Sequence, residues 1–279
     1  MTAYAYRTVN VFAREGRLTG NPLCVFEDGT GLDDATMQAL ARQFNLSETT
    51  FILPSTHASA RVRIFTPAYE MPFAGHPTLG TAHVVRALKG GDALTLEMKA
   101  GIIPVSASAD RWTLKANEPR ARAVEATLAE LEDILGLAPG DAAEWPLWVD
   151  AGTEQLVMPL TSVAAVRRAS PQGGAWGRLK SAEPAKVLVF HDAGDAAGTV
   201  EARFFFPVGS AVLEDPATGS ACANLGGWYT VVRPRTDVAR TVSQGEAVQR
   251  PSTLYLDVKD GAIRVGGNVI ELGRGSITL

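Results

Sequence analysis

Residues 6–12 alternate between apolar and polar, with Val9 and Val11 on one face, and so predict a β-strand. A loop over 16–22 separates it from a short apolar run at 23–26. The period then changes. Met37, Leu40, Ala41 and Phe44 recur at helical spacing behind Asp33 and Asp34. Asn45 ends that helix, because asparagine tolerates a left-handed turn. Residues 51–53 and 60–65 return to strand character, and Pro67 breaks the second run. A Pro/Gly loop over 70–77 leads into an apolar helix at about 78–88. Strands follow at 94–96 and 102–106, then a hinge at Glu118-Pro119-Arg120 and a helix over 128–135 that Gly136 ends. The second half alternates in the same way. Short strands at 148–149 and 156–158 precede apolar strands at 186–190 and 202–206. A Gly-rich loop, an apolar helix from about Cys222 and a β-like tail over 254–258 and 263–279 complete it.

The two halves also repeat each other in residue type. Val62-Arg-Ile-Phe-Thr-Pro67 is echoed by Ala202-Arg-Phe-Phe-Phe-Pro207. Glu70, Pro72 and Gly75 recur as Glu214, Pro216 and Gly219, each 144 positions later, with the second loop longer by four residues. This pattern predicts an internal duplication. Duplicated lobes that pack on one another leave a cleft, and ligand pockets favour such places.

Each copy brings a glycine and a polar residue to a helix start, Gly75-His76 and Gly219-Ser220. A helix start presents unpaired N–H groups and partial positive charge, which suits a carboxylate or a developing oxyanion. Taken singly, each reads as a plain cap. Taken together, two such starts can hold an anionic substrate and stabilise an enolate-like intermediate. Pro77 fits the first turn, where a missing N–H costs little. His76 reads either as a proton shuttle or as a hydrogen-bonded loop histidine. Asp215, alone, reads as a dipole partner of the second helix. Glu48, within Asn45-Leu-Ser-Glu-Thr-Thr-Phe51, reads by its place alone as a surface glutamate. His57, His83 and His191 read as structural or exposed.

Composition narrows the function class. The 279 residues suffice for one large domain or two of about 140. A net charge of −4 gives no basic face for nucleic acid, and Arg233-Pro234-Arg235 reads as solvated loop charge. Cys24 and Cys222 form neither a disulfide framework nor a zinc site, which points to a reducing, cytoplasmic location. The start, Met1-Thr2-Ala3-Tyr4, has no signal-peptide pattern, and no apolar run approaches the roughly 20 residues that span a bilayer.

These residues together resemble the PhzF-like family over nearly the whole chain. The markers are Val11-Phe12 with Gly20-Asn-Pro-Leu23, then Asn45-Leu-Ser-Glu-Thr-Thr-Phe51 and Arg63-Ile-Phe-Thr-Pro67. Pro72-Phe-Ala-Gly-His-Pro-Thr-Leu-Gly80, Glu214-Asp-Pro-Ala-Thr-Gly-Ser-Ala221, Gln244-Gly-Glu246 and Arg250-Pro-Ser252 follow. The resemblance implies an α+β fold of the diaminopimelate epimerase type. Its two pseudo-symmetric lobes are each a mixed sheet wrapped around a central helix. The lobes expected are 1–117, with Glu48 and the Gly75-His76 loop, and 118–279, with the loop from Asp215 to Ser220. The last strand is expected to cross back to the first lobe. The apolar helices after Pro77 and Ser220 are expected to be the central ones.

The resemblance also implies a homodimer that uses no cofactor and no metal. Glu48 matches the family's catalytic acid/base, and His76 and Asp215 match its polar partners. Gly75, Gly219 and Ser220 match the donors that contact substrate. The implied reaction is an isomerisation of a small carboxylate-bearing molecule, dihydro-hydroxyanthranilate in phenazine biosynthesis. A proton leaves one ring carbon and returns to another. Two alternatives stay open: a non-thiol epimerase of a small amino or hydroxy acid, and a small-molecule-binding protein without catalysis. Thiol-dependent epimerases of this fold use two cysteines, and neither Cys24 nor Cys222 matches that pair. One departure is Gln249, before Arg250-Pro251, where the family often has glycine. It leaves the local backbone shape open.

Overall fold

In the computed structural model, which describes residues 1–181, 183–234 and 237–279, the chain folds as two units. Arg235 of the arginine cluster lies outside the described residues. The first unit comprises 1–115 and 266–279, and the second 116–265.

In the first unit the order is β1 (Ala3–Val11), β2 (Asn21–Phe26), α1 (Asp34–Phe44), β3 (Thr49–Leu53), β4 (Ala60–Phe65) and β5 (Glu70–Met71). Then come α2 (Gly75–Lys89), β6 (Ala93–Met98), β7 (Gly101–Ser108) and β8 (Arg111–Lys115). Helix α1 forms where its caps say it should. Asp33 accepts from the Thr36 N–H at 2.8 Å, and Asn45 closes the helix at φ 51°. Its buried face, Met37, Leu40 and Ala41, packs on Phe26, Phe51 and Phe65.

The second unit runs β9 (Arg120–Ala123), α3 (Leu128–Leu135), β10 (Leu147–Asp150), β11 (Glu154–Pro159), α4 (Val163–Arg168) and α5 (Gly173–Trp176). It continues with β12 (Val187–Asp192), β13 (Thr199–Val208), β14 (Ala211–Asp215), α6 (Gly219–Val232), β15 (Val238–Gln244) and β16 (Ser252–Lys259). A capping box between Thr127 and Glu130 opens α3, and Gly136, at φ 63°, ends it. Strand β17 (Ala262–Thr278) begins in the second unit, passes into the first and pairs antiparallel with β1.

The duplication reappears in the strand pairing. In the first unit β1/β2 is antiparallel, β2/β3 parallel, β3/β4 and β4/β5 antiparallel, β4/β6 parallel and β6/β7 antiparallel. In the second, β10/β11, β11/β12, β12/β13, β13/β14, β13/β15 and β15/β16 follow the same sequence of orientations. The repeated Arg and Glu residues pair across the same hairpin in both. Arg63 donates to both carboxylate oxygens of Glu70, at 2.8 and 2.7 Å. Arg203 donates to Glu214 at 3.1 and 2.6 Å. Each guanidinium also lies over the ring two residues on, Phe65 and Phe205, at 5.0 and 4.8 Å.

Helices α2 and α6 each sit against most strands of their own unit: α2 on β1, β2, β3, β4, β6 and β8, and α6 on β9, β10, β11, β15 and β16. A helix surrounded in this way must be apolar all round and slim. Accordingly His76 to Ala82, Val84 and Val85 of α2 are buried, as are Ala221 to Tyr229 of α6. A Cβ on Gly80 would lie 2.6 Å from Leu23 Cδ2, and one on Gly227 2.7 Å from both Pro119 and Val149.

Two expectations need correction. The apolar helices begin at Gly75 and Gly219, not near Thr78 and Cys222. First-turn N–H groups have no intrahelical acceptor, so Pro77 is accommodated there. The supposed loops before them contain the hairpin strands β5 and β14. Strands β8, β9 and β15 were also not predicted. In β15 only Val238 and the last three residues are buried, so no alternation marks it.

Candidate active site

The first cluster of chemistry lies at the start of α2. His76 is the second helical residue, with its side chain only 6% exposed. Its Nδ1 lies 2.9 Å from Glu48 Oε2, and its Nε2 lies 3.2 Å from the backbone oxygen of Asn21. A carbonyl oxygen only accepts, so Nε2 carries a proton. The Nδ1···Oε2 contact then holds one more. Either a protonated Glu48 donates to neutral His76, or imidazolium donates to a Glu48 carboxylate. Between them the two groups share a single mobile proton. Glu48, at 17% exposure, is the member that a ligand can reach more readily.

The Asn21 carbonyl is aimed by a strained corner. Phe12 takes a left-handed φ of 59°. Gly20 turns at φ 80°, where a Cβ would lie 2.5 Å from the Val11 oxygen. Glu48 follows α1 through the left-handed Asn45 and immediately precedes β3. Its position is therefore set by a helix cap on one side and a buried strand on the other.

The second cluster lies at the start of α6. The Thr218 hydroxyl donates to Asp215 Oδ2 at 2.5 Å. Gln244, 2% exposed, donates from Nε2 to the Asp215 backbone oxygen at 2.9 Å and to Thr218 Oγ1 at 3.1 Å. Its Oε1 accepts from the Thr218 N–H at 3.3 Å. Ser220 Oγ accepts from Gln155 Nε2 at 2.9 Å.

Capping sets these two helices apart. Asp33, Thr127 and Ser162 each cap their helix with a side-chain oxygen. Ala74 and Thr218, at the starts of α2 and α6, do not, and neither does the residue before the single-turn α5. The Thr218 hydroxyl is turned to Asp215 instead. Gly75 and Gly219 thus open long helices whose first N–H groups have no side-chain cap, the arrangement that suits an anion.

A family model described as phenazine biosynthesis-like protein, PhzC-PhzF, matches residues 9–273. The chain belongs to the PhzF family. An uncharacterized isomerase of Pasteurella multocida is 39% identical over 99% of this chain and 95% of its own. The trans-2,3-dihydro-3-hydroxyanthranilate isomerase of Pseudomonas aeruginosa is 34% identical over 98% of each. The crystal structure of a PhzF family protein from Bacillus anthracis superposes with a TM-score of 0.89 over 100% of both chains, at 23% identity. The fold is the expected α+β one of the diaminopimelate epimerase type, with pseudo-symmetric lobes. The protein is a PhzF family isomerase.

Other features of this PhzF protein now find their place. Cys24 and Cys222 are buried, and burial pushes both thiols far above their ordinary pKa. Neither is an available thiolate at neutral pH. Gln249 takes the left-handed conformation, φ 57°, that glycine adopts without strain. It closes the turn that begins at Gly245, where a Cβ would lie 2.5 Å from the Pro216 oxygen. That turn supports the Asp215 segment. A pocket of about 340 Å³ beside Trp176 and Val212 has Glu183 alone as an ionisable side chain among its described lining, so it lacks an acid/base pair. Among the described residues no group of three or more His, Cys, Asp or Glu could hold a metal ion. Among the described residues no helix is long and apolar enough to cross a membrane.

Asn21, Gln155 and Gln244 were missed as site residues. Asn21 acts through its backbone, which no side-chain pattern reports. Asn21 and Gln244 do fall inside motifs that carry the family resemblance, Gly20-Asn-Pro-Leu23 and Gln244-Gly-Glu246.

Proposed function

We propose that this protein moves a proton between two carbons of a small ring carboxylate of the dihydro-hydroxyanthranilate kind, with Glu48 as the acid/base. The observation that carries the reading is the 2.9 Å contact of Glu48 with a His76 whose other nitrogen is committed to the Asn21 carbonyl. With the shared proton on His76, Glu48 is a carboxylate ready to take a C–H proton. The C–H electron pair then spreads into the adjacent unsaturated system. Glu48 returns the proton to another ring carbon, the double bond migrates, and the resulting enol relaxes to a ketone. No atoms are gained or lost. Imidazolium beside the reacting carboxylate offsets negative charge as it develops on the substrate.

Gly75, Gly219 and Ser220 are proposed as donors to the substrate's oxygens, and Asp215 as the second polar partner in proton movement. Support comes from the uncapped starts of α2 and α6 and from the relatives named for this isomerisation. We carry over from the family a cytoplasmic homodimer that needs no cofactor. Sedimentation at twice the 29.5 kDa chain mass checks the dimer.

The deciding experiment follows trans-2,3-dihydro-3-hydroxyanthranilate by NMR in deuterated water, with wild-type protein and Glu48→Gln. Wild type should convert it with deuterium uptake, and the variant should lose at least about a thousandfold in rate. Full activity in Glu48→Gln sinks the assignment. Inversion at one stereocentre without double-bond migration moves the reading to an epimerase.

A further inference from the structure

One buried contact differs in kind between the two copies. Strand register aligns them: Thr49 pairs with Cys24 and Phe65, and Val187 pairs with Leu156 and Phe205. Phe65 and Phe205 belong to the duplicated motif, so Cys24 corresponds to Leu156 and Leu23 to Gln155. On the helices, Gly80 corresponds to Asn224, each five residues after the motif glycine. In the first unit Leu23 packs directly on Gly80, an apolar contact. In the second unit the same place holds two amides, Gln155 and Asn224, each 1% exposed. Burying amides where an apolar pair fits is costly unless each polar atom has a partner.

Their hydrogen bonds run in one direction. Asn224 Oδ1 accepts from the Ala151 N–H at 2.8 Å, and its Nδ2 donates to the Thr153 oxygen at 2.9 Å. Those two backbone groups allow Asn224 a single orientation. Its Nδ2 also donates to Gln155 at 3.0 Å, so Gln155 must present Oε1 there. Gln155 Nε2 is thereby left facing Ser220, to whose Oγ it donates at 2.9 Å. A serine hydroxyl that accepts an N–H keeps its own proton for another acceptor.

We infer that Gln155, oriented by Asn224, is a positioning residue that makes Ser220 a hydrogen-bond donor toward the substrate's carboxylate. The inference rests on the proposed contact of Ser220 with substrate and names what sets the polarity of that contact. The backbone groups at Ala151 and Thr153 determine, through two side chains, which way one hydroxyl proton points. The first copy has no hydroxyl to orient at this place, because His76 stands where Ser220 does, and there the apolar Leu23–Gly80 contact suffices.

The test uses the full-length protein with Gln155→Leu, Ser220→Ala and the double variant. Binding of 3-hydroxyanthranilate, the aromatic carboxylate of the same ring, is measured by calorimetry, alongside kcat and KM on the dihydro substrate. Each single variant should bind about tenfold more weakly, with KM raised and kcat little changed. The double variant should be no worse than either single, because Gln155 acts through Ser220. Gln155→Glu serves if the leucine variant fails to fold. Its carboxylate still accepts from Asn224 but cannot donate to Ser220. Its binding should be weak at neutral pH and recover as the pH falls and the carboxyl regains a proton, a recovery wild type should not show. Wild-type affinity in either Gln155 variant, or losses that multiply in the double variant, overturns the inference. Those results leave the isomerase reading intact when wild type is active. A wild type that neither binds nor converts these molecules removes the proposed substrate, and this inference with it.

Discussion

At the start of α2 the residue after the glycine is a histidine with a fixed partner on each ring nitrogen; at the start of α6 it is a serine oriented by a neutral amide. The two places descend from one motif and share their strand pairing. One has become a proton-holding pair, Glu48 with His76, and the other a set of fixed neutral donors around Ser220 with Asp215 nearby in sequence. Around them the same hairpin has kept its Arg–Glu pair in both copies. Duplication therefore conserved the frame that aims the helix and let the aimed residue diverge. A frame can be copied because strand register and an Arg–Glu ion pair across one hairpin depend on few residues.

The largest expected effect separates the two frames. Glu214, with its side chain 7% exposed, relies on Arg203, whereas Glu70 also receives Lys99 at 2.6 Å. Arg203→Met should cost about 3–5 kcal/mol in urea unfolding, because it leaves a buried carboxylate without its cation. Arg63→Met should cost clearly less, about 1–3 kcal/mol. Equal losses would show that Lys99 does not support Glu70.

Next in size is the division of labour between the helix starts. His76→Gln should lower kcat by about a hundredfold with little change in KM, since it removes the group that exchanges a proton with Glu48. Ser220→Ala should mainly raise KM, by about tenfold. Steady-state kinetics on the dihydro substrate reads both. Identical kcat and KM patterns in the two variants would dissolve the distinction.

The smallest effect is on acid stability. Burial opposes ionisation of Glu70, yet hydrogen bonds from Arg63 and Lys99 hold its pKa below the ordinary value. A carboxyl depressed in the folded state adds stability above its unfolded pKa, near 4.5, and that contribution disappears as pH falls through the folded value. Glu70→Gln should therefore flatten the loss of stability below about pH 4.5, seen as a smaller fall in Tm between pH 5 and pH 3. An unchanged slope would mean that Glu70 titrates alike in both states.

Much of the frame was legible along the chain. Helices α1 and α3 end at Asn45 and Gly136, as their residue types require, because capping is local chemistry. The repeat of Arg, Glu, Pro and Gly marked both apolar helices, whereas the hairpin strands β5 and β14 before them read as loops. Strand β15 was not legible, because its half-exposed middle leaves no clean period. Strand β8 does alternate, with Trp112 and Leu114 buried between Arg111, Thr113 and Lys115, but five residues are a short signal and no strand was predicted there. Glu48 read as a surface residue by its place, and only the family resemblance singled it out; in the fold it touches His76 from 28 positions away.

By itself, then, the sequence determined the duplication, because the same short run of residue types occurs twice, and the two glycine-led helix starts with the residue types offered there, because each depends on neighbours within a few positions. Only the tertiary structure decided what those residues hold. The Asn21 carbonyl reaches His76 across 55 positions and Gln155 reaches Ser220 across 65. Such partners are chosen by strand register and by how closely a slim helix packs on its sheet, and neither quantity is written in any local stretch of chain.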